Sequence, residues 1–234
     1  MPNNLLLIHA HEEDLLKAAL AHIDGTPPLT AHLQMAQDVM DHLVTLQQIP
    51  SEPGSDPHTV KLVALRLFNV GATAIKLGLS GYYQAAFQIL RDSLELVNLI
   101  DLFNADSSAI ALWRTADEKT WKKEFLPVKV REKLESLPRY AGQRRDKLYG
   151  TYSNYASHTT YKGFQLIAPD NSPRLGPFFD QKLLKALLED LALHLSHATL
   201  SVSATLETSN PQVLEAKKGF LERLKAYRHQ YPGS

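Results

Sequence analysis

Five polar residues interrupt the most apolar stretch of this chain at helical spacing. Gln84, Gln88, Arg91, Glu95 and Asn98 follow one another at intervals of 4, 3, 4 and 3, so on a helix they form a single line. Arg91 and Glu95 are the members able to do chemistry, a guanidinium suited to an anionic group and a carboxylate suited to a cation or a proton. Around them Tyr83, Leu90, Leu94 and Val97 make one apolar face, and Ala86, Ile89, Leu96 and Ile100 make another. A helix apolar almost all round belongs inside a bundle. There, a buried charge stripped of its partner costs about 3–5 kcal/mol. Arg91 and Glu95 are therefore either a structural pair or a pair held for a ligand.

A second chemical stretch is Tyr149-Gly150-Thr151-Tyr152-Ser153-Asn154-Tyr155-Ala156-Ser157-His158. On a helix Arg145, Tyr149 and Tyr152 share a face, while Gly150, Ser153, Asn154 and Ser157 make a small polar one. His158 falls at the C-terminal end, where the helix dipole favours the imidazolium. Two readings stand for it: a packed tyrosine ladder with a capping histidine, or a pocket wall in which His158 exchanges a proton or holds a ligand. Asp190, His194 and His197 lie at i, i+4 and i+7 of one helical pattern. They are a candidate metal set that would need ligands from a second helix, such as His158 or Glu95. His9, His11, Glu12, Glu13 and Asp14 cluster near the N-terminus without a diagnostic ligand spacing.

Arg91-x-x-x-Glu95 on an enclosed helix, with Tyr149-x-x-x-Ser153 followed by His158, resembles a pattern in certain bacterial all-helical families of unknown function. Some of these are similar to the HEPN-like helical domains of defence and toxin–antitoxin systems. The resemblance spans roughly residues 60–180. It implies a helical bundle and a site shared by Arg91, Glu95, Tyr149, Ser153 and His158. HEPN-like ribonucleases carry an arginine followed four to six residues later by a histidine, and Arg223 and His229 match that spacing. RNA binding would also need a basic groove for phosphates, which the lysine- and arginine-rich segment 119–147 could help form, the alternative being a solvated face.

The elements that must position these residues are helices. Glu12–Ile23 reads as a short amphipathic helix ended by Gly25 and the prolines at 27 and 28. Thr30–Ile49 repeats Leu33, Ala36, Met40, Leu43 and Val44 on one face. Residues 50–57 form a proline-rich loop. His58–Leu79 and Tyr82–Phe103 are joined by Gly78-Leu79-Ser80-Gly81 and make a central antiparallel hairpin. Shorter helices follow after Ser107, after Thr115 and from Pro127, and another is expected from Pro138 to about His158. The stretch 160–178 breaks the pattern and reads as an irregular or β-hairpin insertion, with Pro173 and Pro177 opposing a central strand. Asp180 caps a long helix to about Glu207, and Asn210-Pro211 opens the last one, to about Tyr227.

The fold expected is an all-α multi-helix bundle in one domain, residues 1–234, with residues 1–50 as an N-terminal helical pair packing on a main bundle at 58–230. Formal net charge is +0, so nothing global calls for nucleic acid or an anionic membrane. The absence of cysteine excludes disulfides, thiolate nucleophiles and Cys-held metals. No uninterrupted apolar run approaches membrane-spanning length, and the N-terminus lacks a signal-peptide pattern. Phosphate-loop, dinucleotide-fold and nucleophile-elbow motifs are missing. The function expected is a cytoplasmic helical binding or regulatory module without a cofactor, its polar pocket lined by Arg91, Glu95, Tyr149, Tyr152, Ser153 and His158. Its partner would be a ligand or protein, with a homodimer through an exposed helix face consistent with the pattern. A ribonuclease and a metal-binding bundle are the alternatives.

Overall fold

Side-chain caps set where four of the helices begin. The computed structural model describes residues 4–142 and 145–232, and among them ten α-helices form: α1 (Asn4–Asp24), α2 (Pro27–Leu46), α3 (Asp56–Leu79), α4 (Tyr83–Ala105), α5 (Ser108–Thr115), α6 (Glu118–Glu124), α7 (Pro127–Glu135), α8 (Arg145–Tyr152), α9 (Gln181–Thr205) and α10 (Pro211–Gln230). Ser55 accepts from the His58 N–H at the start of α3, Asp117 from Thr120 at α6, Asp180 from Lys182 and Leu183 at α9, and Asn210 from Gln212 at α10. Each satisfies backbone donors that the first turn leaves open. Pro27 and Pro28 open α2 instead of merely separating it from α1, because proline fits the first helical turn.

The chain is an all-α bundle, with α4 and α9 deepest. They pack on each other, and α3 packs on both. α2 lies against α9, α10 and α3, while α1 crosses α2 and α3. By length and composition α3 is apolar enough to cross a membrane, with a mean hydropathy of 1.5. Its apolar run is interrupted, but polar residues such as Lys61 and Asn69 only dilute the average. Here α3 meets α2, α4, α5 and α9 as a bundle helix.

Two other expectations change. The helix expected from Pro138 does not form there: residues 138–142 are turns, and Gly142 takes a positive φ of 76°. α8 starts only at Arg145. It then widens into a π-helical turn, Ser153–Ser157, closed by the His158 N–H on the Ser153 carbonyl. The insertion is irregular, consisting of 3₁₀ turns at Tyr161–Leu166 and Pro169–Asn171, with no strand among the described residues.

The α3–α4 hairpin turns on Gly81, with φ of 84°. A Cβ there would lie 2.6 Å from the Phe178 carbonyl oxygen and 2.7 Å from its nitrogen. The glycine thus admits both the left-handed backbone and the strand of chain leading into α9, whose Phe178 N–H donates to the Gly81 carbonyl. The Tyr83 hydroxyl accepts from the Asp180 N–H at 3.2 Å and ties the starts of α4 and α9 together.

Gly81→Ala is expected to destabilise the protein by more than about 1 kcal/mol in urea denaturation. Gly54→Ala, at a φ of 77° with open space around the added carbon, bears the backbone strain alone and serves as the reference. Equal losses in the two variants would remove the Phe178 contact as the cause.

Candidate functional site

The polar line of α4 faces α8 from Arg91 to Asn98, while Gln84 and Gln88 are exposed, and the two helices run antiparallel along a hydrogen-bonded seam. At one end Arg91 Nε donates to Ser153 Oγ at 3.1 Å, and Arg91 Nη2 donates to the Tyr149 hydroxyl. That hydroxyl in turn donates to Glu95 Oε1 at 3.0 Å, which also lies 3.3 Å from Arg91 Nη2. Two guanidinium carbons stack on the Tyr149 ring, Arg91 at 4.5 Å and Arg131 at 4.0 Å from its centroid. Nε and Nη1 of Arg131 are buried without a hydrogen-bond partner, so the ring face is their compensation. Burial, then the Glu95 bond and charge, push the Tyr149 phenol above its ordinary pKa against the pull of both arginines.

The seam continues one turn further, to a buried acid, Asp101, that the spacing did not single out. Arg145 donates through Nη1 to Asn98 Oδ1 and through Nη2 to Asp101 Oδ2 at 2.7 Å. Asp101 is 1% exposed. It also lies 2.9 Å from His197 Nε2 and accepts from Ser201 Oγ at 2.6 Å. Burial pushes its carboxyl up, but the His197 bond and charge, with Ser201 and Arg145, outweigh burial and hold it below the usual carboxylate value. A cleft of about 270 Å³ opens above this network, with Asn98, Arg145, His194 and His197 as its polar lining and Leu94, Val97, Leu148 and Leu193 as its apolar walls.

Tyr152 points elsewhere. Its hydroxyl donates to Asp190 Oδ2 and lies 3.2 Å from His194 Nε2. With the single phenol proton spent on Asp190, His194 is assigned the Nε2–H tautomer and donates to the phenol oxygen. Burial pushes the His194 imidazole down to about 4, so it is neutral. The Tyr152 phenol is pushed well up by burial and by Asp190. Asp190 itself moves up through burial, despite the phenol bond. Asp101, fully buried, and Asp190, half-buried, are thus two carboxyls shifted in opposite directions, one kept as an anion and one biased toward its protonated form.

Tyr152 and Asp190 end a cavity of about 420 Å³ walled by Phe87, Leu148, Tyr155, Leu166, Leu183 and Ala186. Leu148 borders both cavities, and the Tyr152–His194 hydrogen bond stands between them.

The expected set therefore divides. Arg91, Glu95, Tyr149 and Ser153 come together as a mutually bonded cluster; Tyr152 belongs to the α9 side; His158 is exposed beyond the π turn. They do not line one pocket, because a helix that places residues 149 and 153 on α4 turns residue 152 toward α9. The candidate metal set divides as well, with Asp190 and His194 on Tyr152 and His197 on Asp101. Among the described residues no group of three or more ligating side chains is placed to hold a metal. Arg223 pairs with Asp38 at 3.3 Å, and His229 is exposed near the end of α10, on an element apart from the seam. Comparison with protein-family models, with curated proteins and with solved structures returned no match.

His42, ring-stacked on Phe220 at 4.4 Å, is also pushed down to about 4, by burial and by the charges of Lys217 and Arg223. Between the ordinary imidazole value near 6.5 and about 4, the unfolded chain holds protons that folded His42 and His194 do not. Stability therefore falls as pH drops through that window, by at most about 1.4 kcal/mol per pH unit per group. Asp190 works oppositely, its raised value costing stability as pH rises past the carboxylate range. Urea titrations at pH 7 and pH 5 are expected to show lower stability at pH 5, and a smaller difference in His194→Gln. An unchanged difference in that variant would show that His194 is not held neutral.

Proposed function

We propose that this chain is a helical binding module that takes a largely apolar small molecule into the cavity between α8, its π turn and α9. The observation that carries the reading is the chemistry of that cavity. Its volume of about 420 Å³ lies in the range of ligand sites, which are mostly apolar with a few fixed polar groups. Aliphatic and aromatic side chains supply the walls, and Tyr152 with Asp190 supplies one polar end. The phenol proton is committed to Asp190 Oδ2, which leaves the other carboxyl oxygen to accept from a ligand hydroxyl or N–H. The raised value at Asp190 favours an uncharged ligand over a second anion. The π turn at Ser153–Ser157 supports the same place, since such turns recur at functional sites. No feature of Arg223 or His229 adds support for RNA cleavage.

N-Phenyl-1-naphthylamine, an apolar fluorophore with a single N–H, is a suitable probe. Its emission is expected to rise saturably at one molecule per chain. Ala186→Trp, which fills the cavity from a half-buried position on α9, is expected to weaken binding by at least about tenfold. Leu221→Trp, on exposed α10 surface, is expected to leave it unchanged. Equal binding by the wild type and Ala186→Trp would overturn the assignment.

A further inference from the structure

A further cavity borders the seam at Glu95 and Asn98, where α5, α6 and α7 cover α4, and we propose that it is a binding site for a trimethylammonium cation. Its volume is about 180 Å³, suited to a compact head group. Both tryptophans of the chain border it, Trp113 and Trp121, together with Phe125. Indole and phenyl faces attract cations through the ring quadrupole, and a quaternary ammonium is the cation that such cages select. It has no N–H to satisfy and is less costly to strip of water than a primary ammonium, which would need several acceptors.

The charge on the wall has the sign that this ligand requires. Asp92 and Glu95 border the cavity from adjacent turns of α4. The nearest cation to Asp92 is Arg91 Nη1 at 3.8 Å, beyond hydrogen-bonding distance. Glu95 meets Arg91 and Tyr149 through Oε1, and among the described residues Oε2 makes no hydrogen bond, so it keeps its acceptor capacity. Arg66 also borders the cavity, from α3, and opposes a cation there. It is exposed and has no ion pair within 4.0 Å among the described residues, so its long side chain is free to move into solvent. The carboxylates stand on short side chains of α4, with Asp92 42% and Glu95 35% exposed, so they stay near the cavity mouth. This cavity shares no lining residue with the one assigned to an apolar ligand, and the two readings stand or fall separately.

With both tryptophans at the site, intrinsic fluorescence reports directly on it. Full-length protein is titrated with choline and with N-acetyl-trimethyl-lysine amide, which carry the same head group as a free metabolite and as a modified side chain. The neutral isostere 3,3-dimethylbutan-1-ol and sodium chloride at equal ionic strength serve as references. Saturable change in emission is expected for one or both cations, the tighter arm naming the source. The neutral isostere is expected to bind roughly tenfold more weakly. Asp92→Asn is expected to weaken the cation several-fold while leaving the isostere unchanged. Trp121→Leu, at a position 39% exposed, is expected to abolish binding as read by Trp113, with melting temperature confirming the fold. Equal affinity for cation and isostere, or no saturable change with either cation, would overturn the proposal.

Discussion

One carboxylate with 1% of its surface exposed constrains three helices at once. Asp101 stays charged inside the bundle only because donors surround it, since an uncompensated buried charge is far too costly to keep. Arg145 comes from α8, and His197 and Ser201 come from α9. Tyr140, in the turn before α8, donates to the Asp101 backbone carbonyl at 3.3 Å. α8 has only eight residues, of which Arg145 and Tyr152 are the buried ones. A helix that short has little stability of its own. Its place in the bundle therefore rests on polar contacts to α4 and α9, and Asp101 is the most enclosed of them.

The rest of the candidate site follows from where that contact puts α8. One turn along, Tyr149 reaches Glu95 and the stacked arginines; one further, Ser153 reaches Arg91. The side turned the other way carries Tyr152 to Asp190 and His194. The apolar cavity and the polar cleft open on either side of the α8–α9 contact, with Leu148 in both linings. A displacement of α8 would alter both. The opposite shifts at Asp101 and Asp190 follow from their partners: a guanidinium, an imidazole and a hydroxyl around one, a single phenol on the other.

Much of this was legible in the residues. The 4, 3, 4, 3 spacing from Gln84 to Asn98 identified the polar line of α4, and Arg145 and Tyr149 were placed on one face of a second helix. Local signals marked α9 and α10 well, because Asp180 and Asn210 act on the N–H groups just after them. Asp101 continues the polar line by three more residues but sits among Leu99, Ile100, Leu102 and Phe103, and spacing alone does not say which isolated acid a distant arginine will meet. Ser201 was hidden for the same reason, and His197 was picked out only as a metal candidate, since its partner lies on another helix. The expected common pocket failed because the π turn and the facing of Tyr152 depend on α9, which is remote in sequence. The turn before α8 was missed because Pro138 is as good a helix opener as a breaker, and the positive φ at Gly142 arises from its setting.

Asp101 and Arg145 act as one unit in holding α8 on the bundle. A double-mutant cycle in urea, using Asp101→Leu, Arg145→Leu and the pair together, tests this most directly. Each single variant leaves a buried charge without its ionic partner, held only by the remaining hydrogen bonds, and is predicted to lose up to about 3–5 kcal/mol. The double variant is predicted to lose less than the sum, with a coupling above about 1 kcal/mol. Strict additivity would contradict the claim and leave α8 held by something other than this pair.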